Sequence, residues 1–140
     1  MTNGLQVSTS GGPSTSLSYD LNGNLLNDGT NSYSWDAENR MIKITYPGTG
    51  NYSAFSYDGL GRNVSIVETV SGSVTSTKQF VWCGHDRCEN RNATGGVVAQ
   101  FFKMGQTVAG NSYFYCKDQP GSNRELTDSG ANIKAEYNCR

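Results

Sequence analysis

The chain has 140 residues and a mass of 15.1 kDa, the size of one ordinary domain. Its 11 basic and 12 acidic residues are dispersed and sum to a net charge of -1, so self-repulsion does not hold the chain open and no basic stripe for nucleic acid is visible. Gly, Ser, Asn and Thr fill about two-fifths of the positions, Ala is scarce, and no apolar run approaches the roughly 20 residues that cross a membrane as a helix; long helices are excluded, and a polar, turn-rich all-β chain with a thin core remains.

Residues 1–16, rich in Ser, Thr and Gly, lack the basic and apolar regions of a signal peptide and are expected to form a flexible arm. Residues 17–140 are expected to form an array of hairpins. The segment Tyr19-Asp20-Leu21-Asn22-Gly23-Asn24-Leu25 is echoed by Trp35-Asp36-Ala37-Glu38-Asn39-Arg40-Met41 and by Tyr57-Asp58-Gly59-Leu60-Gly61-Arg62-Asn63. Between them lie predicted strands: Ile42, Ile44 and Tyr46 share one face, as do Phe55 with Tyr57 and Val64 with Ile66. A Ser71-Gly72-Ser73 turn precedes Phe80 and Trp82, and Trp82 followed by Asp86 carries the register onward. Turns at Asn92–Gly96 and Asp128–Gly130 bound strands carrying Val97, Ala99 and Phe101 (or Val98 and Phe102), Tyr113 with Tyr115, and Ile133 with Tyr137. Met104–Asn111 reads as a longer loop. Looser copies of the unit start at Tyr115, with Asp118, and at Tyr137.

The shared grammar has a physical reading. An aromatic ends a strand, and Asp opens the turn because its carboxylate accepts backbone amides two or more residues on. Gly or Asn then supplies the left-handed backbone of a tight reversal. Arg or Asn, then an aliphatic, restarts the chain in the opposite direction.

These tyrosine-aspartate units resemble the YD repeats of rearrangement hot spot (RHS) proteins, relatives of the teneurins. The segment Lys117-Asp118-Gln119-Pro120-Gly121-Ser122-Asn123-Arg124-Glu125-Leu126-Thr127-Asp128 is similar to the start of the RHS-associated core, with Gln119 and Pro120 where that motif has His and Leu. The resemblance covers about residues 17–140, of which 116–140 correspond to the core. It implies an antiparallel meander of YD-repeat hairpins in a curved or spiralling open sheet, whose unpaired edges and uncovered face lead to the expectation that self-association completes it. It also implies a secreted or cell-surface bacterial protein related to toxin-encapsulating shells.

Three sets of residues stand out as sites. The repeat anchors are Tyr19, Asp20, Trp35, Asp36, Tyr57, Asp58, Tyr115, Asp118 and Tyr137. The four cysteines are Cys83, Cys88, Cys116 and Cys139. In Cys83-Gly84-His85-Asp86-Arg87-Cys88 a disulfide across a tight turn is favoured over a zinc site, since there is no second His and Cys116 or Cys139 would have to complete the ligand set. Cys116 and Cys139 lie near neighbouring anchors and could pair. Exposed Trp35, Tyr52, Trp82 and Tyr113 could stack sugar rings, although cross-strand packing in the sheet explains them as well.

The expectation is therefore a structural or interaction protein without catalytic activity, cofactor or metal. Its expected partners are other copies of itself or a larger RHS-type polypeptide. Carbohydrate binding is the alternative function. Nucleic acid binding and a membrane span are not expected.

Overall fold

A computed structural model of the chain describes residues 3–7 and 15–137, with side chains from Ser16 onward. Every regular element among them is a β-strand, and neighbours in sequence are neighbours in the sheet. Two compact units share this plan, residues 1–78 and 79–140, and the strand Ser73–Cys83 runs through the division.

The first unit holds β1 (Asn3–Val7), β2 (Thr15–Tyr19), β3 (Leu25–Asn27), β4 (Ser32–Trp35), β5 (Met41–Thr45), β6 (Tyr52–Tyr57), β7 (Asn63–Val70) and the start of β8 (Ser73–Cys83). From β2 to β7 each strand pairs antiparallel with the one before it, from Leu5 opposite Leu17 to Phe55 opposite Ile66. Strand β1 falls inside the stretch expected to be a flexible arm, and its five residues pair with β2; the rest of that arm before Thr15 lies outside the described residues. Ser71 and Gly72, with φ of 51° and 79°, make the tight turn into β8, as the Ser-Gly-Ser run requires.

The second unit continues with β9 (Asp86–Arg91), β10 (Val97–Phe102), β11 (Gly105–Val108), β12 (Asn111–Lys117), β13 (Asn123–Asp128) and β14 (Ile133–Glu136). The stretch Met104–Asn111 is not the longer loop expected. It contains β11, joined to β12 by a two-residue turn in which Ala109 and Gly110 have φ of 49° and 81°. Gly105 begins this strand because a Cβ there would collide with the Tyr113 carbonyl on the paired strand.

Among the described residues nothing in either unit forms a second layer. Among the described residues the buried side chains are Ala99, Leu126, Ser53 and Thr69. Ile42 and Tyr46, expected on the inner face of β5 and beyond, remain 37% and 38% exposed. Where apolar packing is thin, polar bonds take over: Tyr46 donates to Ser53 Oγ at 2.8 Å, and Ser53 donates to Glu68.

Candidate functional site

Asp58 shows the repeating turn most plainly. Its amide donates to the Arg62 carbonyl and its own carbonyl accepts the Gly61 amide, both at 3.0 Å. Its Oδ1 accepts the amides of Leu60 at 2.9 Å and Arg62 at 3.0 Å, while Oδ2 accepts Arg62 Nε at 2.8 Å. Five residues thus reverse the chain, and Gly61 takes the left-handed φ of 76° that closes the turn. One residue later the partner strand bulges: Tyr57 faces Asn63 but Ser56 faces Ser65, leaving Val64 extra.

The same geometry occurs at Asp20, Asp36, Asn92, Asp118 and Asp128. The left-handed residues there are Gly23, Asn39, Gly95, Gly121 and Ala131. The extra residues are Leu26, Ile42, Val98, Arg124 and Lys134. At Asp118 the second amide is missing because Pro120 has none, and the bulged Arg124 reaches Oδ2 at 2.8 Å. Lys134 approaches Asp128 Oδ2 in the same way at 3.0 Å. Asn92 and Asp128 were expected as turns only; they lack an aromatic before them, which is why they do not read as copies of the unit.

The aromatic anchors have their own task. Trp35 Nε1 donates to the Leu25 carbonyl at 2.8 Å and the Tyr57 hydroxyl to the Met41 carbonyl at 2.7 Å. The Tyr115 hydroxyl donates to Gln106 Oε1 at 3.0 Å. Each anchor therefore clasps the preceding strand while the Asp after it, or three residues on in the Tyr115 copy, builds the next turn. Tyr19 is half-buried at the end of β2, and Tyr137 is exposed after β14. In the first unit the turns also touch one another: Asn39 Oδ1 accepts from the side-chain amides of Asn22 and Asn24, and the Arg40 guanidinium lies 4.9 Å from the Tyr57 ring centre.

Hydrogen bonds set the charge state of these carboxylates. Asp20 is held below the ordinary 3.8 mainly by the Asn24 side chain, Asp36 by the Arg40 amide, and Asp58 by the Arg62 side chain. Lys134 and then Asn132 hold Asp128 well below that value, and the Asn31 amide and Tyr33 hydroxyl do so for Asp28, which caps the turn between β3 and β4. A carboxylate tied this way is an acceptor for its own turn.

Cys83 and Cys88 are joined by a disulfide across the Gly84-His85 turn, and Cys88 is the bulged residue of that hairpin. Cys116 is exposed and not disulfide-bonded; Cys139 lies outside the described residues. His85 is exposed at the tip, and among the described residues no three His, Cys, Asp or Glu side chains gather to hold a metal. Trp35 and Tyr52 lie in the first unit, and Trp82 and Tyr113 in the second. All four are half-buried in the sheet, and Lys43 covers the Tyr52 ring at 4.2 Å.

The second unit does carry an open cleft, of about 540 Å³, beside the disulfide. Arg87, Lys103 and Lys117 line it together with Asp86, Phe101 and Tyr115. The Arg87 guanidinium lies 4.7 Å from the Phe80 ring centre and 5.8 Å from that of Phe101. These cations are far apart in sequence, and nothing in the sequence marked them as a group.

No family model matches the chain. Among curated proteins it is similar to the tRNA3(Ser)-specific nuclease WapA of Bacillus spizizenii, with 30% identity over 130 residues, which is 87% of this chain and 5% of that protein. It is also similar to the tRNA nuclease WapA of Bacillus subtilis, with 39% identity over 62 residues, 44% of this chain and 3% of that protein. The chain thus spans a twentieth or less of the length of these relatives. They overturn three expectations. The assignment to RHS proteins and teneurins gives way to similarity with WapA nucleases, with which the tyrosine-aspartate repeat is compatible. The expectation of a structural or sugar-binding protein gives way because the relatives are named for tRNA cleavage, and so does the expectation that no enzyme is involved. The expectation of no enzyme was drawn from this chain alone, whereas the relatives are many times longer.

Proposed function

We propose that this chain is the hairpin-repeat section of a tRNA nuclease and works as part of that larger polypeptide. The observation that carries this reading is the match to a tRNA3(Ser)-specific nuclease along 87% of the chain. The turn geometry supports it: each unit needs only the strand before it and offers a strand to the next, so such hairpins extend by addition into long arrays. A secreted or cell-surface location belongs to the same proposal. So does self-association of the isolated chain, supported by Phe102, Met104 and Phe114, which are 59%, 68% and 49% exposed.

The test is tRNA cleavage by the full polypeptide that carries these residues. Purified protein is incubated with total bacterial tRNA, and the fragments are identified by sequencing their new ends. Cleavage confined to one or a few tRNA species is the expected result. Intact tRNA, with the protein folded and in excess, would refute the reading.

A further inference from the structure

We infer that the cleft beside the Cys83–Cys88 disulfide is a binding site for an unpaired stretch of RNA. The argument begins with a census of charge. In the second unit Arg91 pairs with Glu89, Arg124 with Asp118, and Lys134 with Asp128. The other cations described there are Arg87, Lys103 and Lys117, none in an ion pair, and all three line this one cleft. They come from β9, from the turn after β10 and from the end of β12, so the fold gathers charges that lie 16 and 14 residues apart in sequence.

The floor between them is aromatic. Phe101 and Tyr115 line the cleft, Arg87 lies across the Phe80 and Phe101 rings, and the Tyr115 hydroxyl is turned to Gln106 on the neighbouring strand. Three cations against the single carboxylate of Asp86, beside aromatic rings, suit a ligand that alternates anionic groups with flat apolar ones. A nucleic acid strand does this through its phosphates and bases, provided the bases are unpaired and free to stack. A cleft of about 540 Å³ takes a short stretch of a strand and not a duplex. The choice of RNA over other strands rests on the tRNA nuclease reading; the site itself rests on the geometry.

The test uses the 140-residue chain and a fluorescein-labelled 12-nucleotide RNA without secondary structure, followed by anisotropy over a salt series. The paired substitutions Lys103→Glu and Lys117→Glu are compared with Lys43→Glu and Lys78→Glu, an equal charge change in the first unit, after matched thermal melts establish folding. The inference predicts roughly tenfold or greater weakening for the cleft pair, a salt slope lowered by about 1.4, and little change for the other pair. It also predicts that an abasic ribose-phosphate strand of equal length binds more weakly than RNA. Equal weakening by both pairs, equal binding of the abasic strand, or no binding at low salt would overturn it. Full-length protein that cleaves tRNA while the chain's RNA binding ignores the cleft pair sinks the cleft and leaves the nuclease reading standing. RNA binding lost through the cleft pair, with no cleavage by the full protein, does the reverse.

Discussion

Asp58 holds Arg62 twice, through the backbone amide at Oδ1 (3.0 Å) and the guanidinium Nε at Oδ2 (2.8 Å). One side chain thereby fixes both the path of the turn and the residue that leads into the returning strand β7. Replacing Asp58 with Ala removes the Leu60 and Arg62 bonds together, whereas Asn keeps one acceptor oxygen, as Asn92 shows by accepting the Thr94 and Gly96 amides. Urea unfolding should therefore rank the variants with D58A clearly below D58N, and D58N slightly below the parent. Equal midpoints would remove the carboxylate from the account.

Acid should loosen the array. Asp20, Asp28, Asp36, Asp58 and Asp128 all have folded values below the ordinary 3.8. In the window between the folded and unfolded values the unfolded chain binds more protons, so stability rises with pH there. The contribution is fully present above about pH 4 to 5 and is lost as pH falls through the lowered values. Unfolding midpoints should be flat from pH 7 to 5 and fall steeply below 4; a flat profile down to pH 3 would contradict this.

The anchors clasp backwards. Tyr57→Phe removes only the hydroxyl bond to the Met41 carbonyl and should cost about 1 kcal/mol, measured by chemical denaturation. Leu126→Ala opens one of the few buried apolar sites and should cost roughly 2 kcal/mol or more.

The open strip of strands predicts association. Sedimentation velocity of the isolated chain should show dimers or larger species that dissociate when Phe102 and Phe114, both exposed, are changed to Ser. A monodisperse monomer at high concentration would count against it.

The turns were legible in the sequence because each is written in residues with local reasons: Asp or Asn to cap, then Gly or Asn to reverse. The bulges were not. Val98 carries no mark that distinguishes it from Val97, yet it is the extra residue that shifts the facing of β10, so the alternation could not be fixed there. The Met104–Asn111 strand was hidden because Gly105 and Thr107 give no apolar stripe, and its pairing depends on β10 and β12. The cleft was hidden for a similar reason, since a cation is free or paired only once the strands are aligned.

The claim beneath all of this is that side-chain oxygens at six equivalent turns hold the hairpins closed. Amide hydrogen exchange by NMR tests it residue by residue. The amides of Asn24, Arg40, Arg62, Gly96, Ser122 and Asn132, exposed or half-buried turn positions bonded to Asp or Asn, should exchange slowly, and D58A should release Leu60 and Arg62 while leaving the other turns protected. Fast exchange at all six, or no selective release in D58A, would contradict it.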